Sequence, residues 1–208
     1  MKKIAVLVSG GGTNLQAILD AQTSGVIKSG KVCCVISSSP NAFALERAKN
    51  AGVPGECVRR KDYESVQAFD EALLETLKKY NADIIVLAGF LCILGESVIR
   101  AYPNKIINVH PSLIPSFCGD GFYGLTVHKK ALEYGVKVTG ATVHFVNEIT
   151  DGGAIILQKA VDILPEDDAE SLQKKVMKEV EHIILPQAVE LLCADKIKID
   201  GRKVEIMK

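Results

Sequence analysis

Short, wholly apolar runs alternate with amphipathic stretches along most of the chain, and this alternation predicts its elements. Ile4 to Val8, Val32 to Ile36 and Ile84 to Leu87 are apolar at every position, as parallel strands buried on both faces require. Between them apolar residues return with the helical period: Leu15, Ile18 and Leu19; a helix over 41–51 closed by Gly52 and Pro54; then Val66, Phe69, Leu73, Leu77 and Tyr80. Ile106-Ile107-Asn108-Val109-His110 starts as another such strand but carries polar residues at alternate positions. A strand sends alternate side chains to one face, so Asn108 and His110 project together, about 6–7 Å apart, while Val109 points away. Pro111 and Pro115 end the strand there.

The second half follows a different rhythm. Leu125 to Tyr134 reads as a short helix, and 136–146 as a strand with Thr142, His144 and Val146 on one face. Asn147 to Gly153 is turn chemistry, and Ile155 to Val161 returns as the partner strand, making a hairpin-like pair whose loop carries Asp151. A last helix opens at Asp167 or Asp168 and buries Leu172, Val176, Val180, Ile183 and Ile184, with Pro186 expected to kink it or start another. A terminal hairpin spans 197–206, turned at Asp200-Gly201. The expected fold is α/β: a mostly parallel central sheet, helices on both faces and an antiparallel C-terminal portion.

At 208 residues the chain fits one domain, 1–208, with a core large enough to need neither disulfides nor metal. Lys+Arg and Asp+Glu are both 25, which gives no electrostatic reason to expect nucleic acid or membrane as a partner. The six cysteines show no zinc or CxxC spacing and read as reduced core residues of a cytoplasmic protein. The apolar run after Met1-Lys2-Lys3 is too short for a signal peptide, and no run approaches the ~20 apolar residues that span a membrane.

Candidate chemistry gathers at the carboxyl ends of the predicted strands, which line one edge of a parallel sheet. Ser9-Gly10-Gly11-Gly12-Thr13-Asn14 joins strand to helix, with Thr13 or Asn14 as N-cap. Freed backbone N–H groups at a helix N-terminus make an anion site, and the Thr and Asn side chains can add donors. The dinucleotide fingerprint fails at Leu15 and at Ser37-Ser38-Ser39, and no Lys follows Gly12 as a P-loop requires, so a single phosphate fits best. Leu91, Cys92, Ile93 and Leu94 after the 84–87 strand either wall an apolar pocket or simply fill the core. The 116–124 segment, glycine-rich and aromatic, suits a loop over a cleft. An Asn amide, an imidazole and the Asp151 carboxylate in one cleft suit acyl-type transfer, because an attacked carbonyl needs oxyanion donors and an attacking amine must lose a proton. His128, His144 and His182 lack metal-ligand spacing and read as structural, and nothing activates Ser112 or Cys118.

Gly11-Gly12-Thr13-Asn14-Leu15-Gln16-Ala17-Ile18, Leu87-Ala88-Gly89-Phe90, Asn108-Val109-His110-Pro111-Ser112-Leu113, and His144-Phe145-Val146 with Thr150-Asp151-Gly152-Gly153 resemble, in order and spacing, the phosphoribosylglycinamide formyltransferases of the formyltransferase superfamily. The similarity runs from about residue 3 to residue 191. It implies a Rossmann-like formyltransferase fold, with Asn108, His110 and Asp151 as the catalytic trio. It implies that Gly12, Thr13 and Asn14 bind the acceptor's phosphate, that Glu181 contacts its ribose, and that Leu91, Cys92, Ile93, Leu94 and Asn108 meet the folate. It further implies transfer of a formyl group from 10-formyltetrahydrofolate, used as cosubstrate with no metal, to glycinamide ribonucleotide in purine biosynthesis, by a monomer or homodimer. Many relatives carry Ser-Arg-Glu where this chain has Ser65-Val66-Gln67, which leaves Arg60 and Lys61 as the neighbouring basic side chains. Many also place Arg or Lys at the position of Cys92, and the 116–124 loop is longer than in some. The alternative activity is formyltetrahydrofolate hydrolysis, for which a phosphate cradle has no use.

Overall fold

The computed structural model describes residues 1–207; Lys208, the last residue of the expected 1–208 domain, lies outside the described residues. Strands β1 (Lys2–Val8), β2 (Gly30–Ser37), β3 (Gly55–Cys57), β4 (Ile84–Leu87), β5 (Ile106–His110), β6 (Val138–Phe145) and β7 (Ile155–Asp162) form one sheet in the order β3-β2-β1-β4-β5-β6-β7. Pairing is parallel from β3 to β5 and antiparallel from β5 to β6 and from β6 to β7. The helices are α1 (Thr13–Thr23), α2 (Phe43–Asn50), α3 (Val66–Lys79), α4 (Glu96–Ala101), α5 (Leu125–Tyr134), α6 (Ala169–Val176) and α7 (His182–Cys193). A separate hairpin, β8 (Ile197–Asp200) and β9 (Lys203–Ile206), follows the last helix. This is the expected α/β architecture, including its antiparallel portion.

Alternation along β1 explains why the sheet is covered on both faces. Ile4, Val6 and Val8 join one core with Leu15 and Ile18 of α1, Leu172 and Val176 of α6, and Leu185 and Val189 of α7. Ala5 and Leu7, the intervening residues, join the other with Phe69, Leu73 and Leu77 of α3 and Val98 of α4. Burying each large aliphatic side chain contributes about 1.5–3 kcal/mol, so a strand apolar at every position is stable only between two helical layers. The hydrophobic pattern of β5 splits in the same way: Ile107 and Val109 enter the first core, leaving Asn108 and His110 on the opposite face.

Three local expectations differ from the structure. The N-cap of α1 is Gly12, in the left-handed region at φ 71, and not Thr13 or Asn14. A Cβ on Gly12 would lie 2.6 Å from Ala44 Cβ, so the close approach of α2 demands the glycine as much as the turn does. The helix expected to break at Pro186 breaks earlier. Asp168 caps α6 in a capping box with Ser171, a five-residue π turn follows at Met177–Glu181, and α7 then runs through Pro186. Around the wider turn the stripe shifts: Val180 is buried as expected and Glu181 joins it inside, whereas Ile183, expected inside, is exposed. Of the cysteines expected in the core, Cys34 and Cys193 are buried, Cys57 is exposed and the others are partly covered; all are free thiols. No helix among the described residues is long and apolar enough to cross a membrane.

His128 sits on the inner face of α5, buried, with both ring nitrogens lacking a hydrogen-bond partner among the described residues. Burial, helped by the nearby charge of His110, pushes its imidazole down to about 4. As the pH falls from about 6.5, where an unfolded histidine titrates, toward 4, the unfolded chain takes up a proton that the folded ring does not, so stability falls with pH. His128→Leu is expected to remove roughly 2–3 kcal/mol of that acid loss, read as the difference in urea unfolding free energy between about pH 7.5 and 4.5; an unchanged difference would contradict the assignment.

Candidate active site

The carboxyl ends of the parallel strands meet at a topological switch point, because β1 has β2 on one side and β4 on the other. Ligands of open α/β sheets bind in the crevice such a reversal creates. Here the crevice region contains a cavity of about 630 Å³. Its walls include Leu91, Cys92, Ile93 and Leu94 from the segment after β4, Gly119 to Gly124 from the loop after β5, and Asn108, His110, His144 and Asp151. Leu91 and Ile93 are 66% and 73% exposed, an apolar lip that a planar ligand would cover, whereas Leu94 turns into the core. The expected pocket wall and the expected core packing therefore both occur within these four residues.

Asn108 and His110 come from β5 as the period-2 reading expects. Asp151 arrives by a longer route. Because β6 runs antiparallel to β5, pairing His110 with Thr142 and Ile107 with Phe145, it passes both polar residues and ends opposite Ile107, short of the carboxyl end of β5. The loop from β6 to β7 must fold back over the sheet face to deliver a carboxylate. It does so with Asp151 at φ 54 and with Gly153 pressed on β6, where a Cβ would fall 1.7 Å from the Phe145 carbonyl oxygen. The result is a closed polar cluster: His110 Nδ1 to Asp151 Oδ2 at 3.5 Å, His144 Nε2 to Asp151 Oδ1 at 3.5 Å, and Asn108 Nδ2 to His144 Nε2 at 3.2 Å.

His144, read from the sequence as structural, belongs to this cluster. Its register opposite Asn108 on β6 puts it there, and the signal was its place on the polar face of that strand. The ring's Nδ1–H donates to the Phe145 carbonyl oxygen at 2.8 Å, which leaves Nε2 to accept from the Asn108 amide and so holds that amide's orientation. The 116–124 loop also reaches the cluster: His110 Nε2–H donates to the Phe117 carbonyl oxygen at 2.9 Å, and the Gly119 N–H donates to Asp151 Oδ2 at 2.9 Å.

Burial pushes the His110 imidazole down; the Asp151 charge and the Phe117 carbonyl oppose it without cancelling it, and His144 adds to the fall. Burial works to raise the Asp151 carboxyl, but the adjoining His144 ring, the hydrogen bond from the Gly119 N–H and the nearby His110 hold it below the usual carboxylate range. Asp151 is thus ionised at neutral pH beside a ring that is mostly neutral yet has an acceptor at each nitrogen. Protonating that ring satisfies both acceptors at once.

The phosphate-type turn lies beside the cavity and not in it. A Cβ on Gly10 or Gly11 would meet nothing within 4 Å, so the bend is open. The Thr13 hydroxyl donates to Met177 Sδ at 3.1 Å and the Asn14 amide to Glu181 Oε2 at 2.6 Å, so these side chains are already committed and the free donors of the turn are backbone N–H groups. Asn14 Oδ1 is buried without a partner among the described residues, and burial raises the Glu181 carboxyl against the pull of the Asn14 amide. Thr13 also lines a groove of about 660 Å³ between α1 and α7. The Arg60 guanidinium donates to the Tyr63 carbonyl oxygen, and neither Arg60 nor Lys61 lines the cavity. No group of three His, Cys, Asp or Glu side chains among the described residues could hold a metal ion.

The formyl transferase family, a class of group-transfer enzymes, matches residues 2–189, and the chain belongs to that family. Its relatives narrow the description. Phosphoribosylglycinamide formyltransferase of Haemophilus influenzae is 42% identical over 199 residues, which are 96% of this chain and 91% of that protein. The trifunctional purine biosynthetic protein adenosine-3 of Drosophila melanogaster is 43% identical over 192 residues, and the match spans 92% of this chain but only 14% of that much longer protein. The crystal structure of glycinamide ribonucleotide transformylase 1 from Symbiobacterium toebii superposes with a TM-score of 0.94 at 45% identity, covering 100% of this chain and 95% of that one.

Asp151→Asn removes the charge that supports protonation of His110, so the His110 ring is expected to titrate lower still. Histidine NMR titration of the variant against the wild type reads this directly; an unchanged or raised His110 titration would show that the carboxylate does not act on that ring.

Proposed function

We propose that this chain transfers the formyl group of 10-formyltetrahydrofolate to the amine of N1-(5-phospho-D-ribosyl)glycinamide, a step of purine biosynthesis. The observation that carries the reading is the convergence of Asn108, His110 and Asp151 at one wall of the cavity, beside an open glycine turn. The apolar lip of Leu91 and Ile93 suits the flat ring system of a folate, and the backbone N–H groups of Gly12, Thr13 and Asn14 suit the acceptor's phosphate. Glu181, which accepts from the Asn14 amide, is the carboxylate this reading assigns to a ribose hydroxyl.

In this mechanism the glycinamide nitrogen attacks the formyl carbon, a C–N bond forms, and the carbonyl electron pair moves onto oxygen. The Asn108 amide, oriented by His144, donates to that oxygen. His110 donates to it through the N–H that the Phe117 carbonyl holds in this structure. The Asp151 carboxylate, beside His110 Nδ1, takes up the proton released by the amine, directly or through water, and supports the charge that His110 shares with the oxyanion. That proton passes to the folate nitrogen as its bond to the formyl carbon breaks, the carbonyl re-forms and Asp151 returns to the carboxylate.

The test mixes purified protein, 10-formyltetrahydrofolate and glycinamide ribonucleotide and follows the folate's absorbance with and without the acceptor. Formyl transfer that requires the acceptor is expected; equal formate release without it would instead establish the hydrolase. Asn108→Ala and His110→Ala are each expected to lower kcat by about 10²–10³ with little change in the unfolding midpoint. Unchanged turnover in either variant would remove that residue from the chemistry.

A further inference from the structure

The cavity and the glycine turn share no wall, yet one side chain holds a support of each. Ser9 follows β1, the central strand at the switch point, and opens the glycine turn. Its Oγ accepts the Leu91 N–H at 2.8 Å and lies 2.6 Å from Ser38 Oγ, just beyond β2. Leu91 belongs to the strap over 88–95 that forms the apolar wall of the cavity. The strap's backbone is tied at Ala88 N–H to the Leu7 carbonyl at 2.9 Å, at Leu91 to Ser9, and at Gly95 N–H to Asp70 Oδ1 at 3.1 Å. The middle tie, next to the exposed Leu91 and Ile93, is Ser9.

A proton count gives this tie a direction. Leu91 contributes an N–H, so Ser9 Oγ must accept there. The Ser9 and Ser38 hydroxyls bring one hydrogen each, and a single hydrogen serves the bond between them. One hydroxyl hydrogen is left over, on Ser38 when Ser9 donates and otherwise on Ser9, the residue that opens the glycine turn. An anion in the turn can accept that hydrogen. When Ser9 donates to Ser38, each oxygen both gives and receives, and the chain Leu91 N–H to Ser9 to Ser38 to anion is polarised in one sense, which strengthens every member.

We propose that Ser9 is a positioning residue that couples the two substrate sites: an anionic group bound in the glycine turn tightens the hold of Ser9 on Leu91, and so sets the wall against which the folate packs. This rests on the formyl-transfer reading for the identity of the ligands. The coupling is reciprocal, since a folate that orders the strap must favour the anion by the same factor. It would ready the donor pocket when the phosphorylated acceptor is in place, where a direct contact between the sites is missing.

Tetrahydrofolate and glycinamide ribonucleotide make a test pair that carries no formyl group, so both bind without turnover. Isothermal titration of the intact protein measures tetrahydrofolate alone and with saturating glycinamide ribonucleotide. The wild type is expected to bind tetrahydrofolate at least about fivefold tighter with the acceptor present. In Ser9→Ala both ligands still bind, but the factor falls below about two, and Ser9→Thr, which keeps a hydroxyl, restores it. A merely structural Ser9 would weaken binding while leaving the factor intact. If Ser9→Ala does not fold, Ser38→Ala breaks the next link while sparing the Leu91 bond, and the same loss of coupling is expected. Full coupling in the alanine variants, or independent binding in the wild type, overturns the proposal. Failure of either ligand to bind the wild type at all would instead strike the formyl-transfer reading and take the coupling with it.

Discussion

The antiparallel pairing of β6 on β5 is the constraint on which the site depends. Parallel strands alone would have brought Asn108 and His110 to the edge of the sheet with no acid beside them. Reversing the chain at β6 sets His144 directly opposite Asn108, but it also starts the next loop at the far end of β5 from His110. That loop must double back across the sheet, and it can do so only because Gly153 lets it lie against the Phe145 carbonyl and Asp151 adopts a positive φ. A left-handed conformation at a non-glycine residue costs of order 1–2 kcal/mol. The hydrogen bonds to Asp151 from the Gly119 N–H and the contacts with both histidines offset it.

This geometry also resolves a tension in the electrostatics. A histidine taken out of water prefers to be neutral, and His110 follows that rule. Yet each of its nitrogens faces an oxygen, Phe117 on one side and Asp151 on the other. A ring that is neutral at rest but surrounded by acceptors gains from a proton when negative charge develops nearby, which is what an oxyanion supplies. In the proposed reaction the cluster serves a transient charge more than a standing one, in keeping with electrostatic preorganisation.

Much of the arrangement was legible in the residues. Continuous apolar runs disclosed the parallel strands, and the polar break in the fifth, at alternate positions, disclosed the face that Asn108 and His110 share. Less could be read where long-range contacts override local preference. Thr13 and Asn14 have ordinary cap chemistry, but their side chains are drawn to Met177 and Glu181, 164 and 167 residues further along, and Gly12 takes the cap because α2 packs against it. The π turn that brings Glu181 inside leaves no periodicity signal over five residues. His144 was placed on the correct face by the strand pattern, but a face does not disclose a neighbour; only the register with β5 does.

In the proposed reaction one crevice holds a folate against the strand-borne polar pair while the glycine turn next to it holds a phosphate. Crystals grown with tetrahydrofolate and glycinamide ribonucleotide read both placements at once. The reaction requires the folate nitrogen that carries the formyl group in the donor beside Asn108 and His110, the acceptor amine within about 3 Å of a group bonded to Asp151 or of Asp151 itself, and the phosphate on the backbone N–H groups of Gly12 to Asn14. A folate seated away from Leu91 and Asn108, or a phosphate bound anywhere other than the glycine turn, would contradict it.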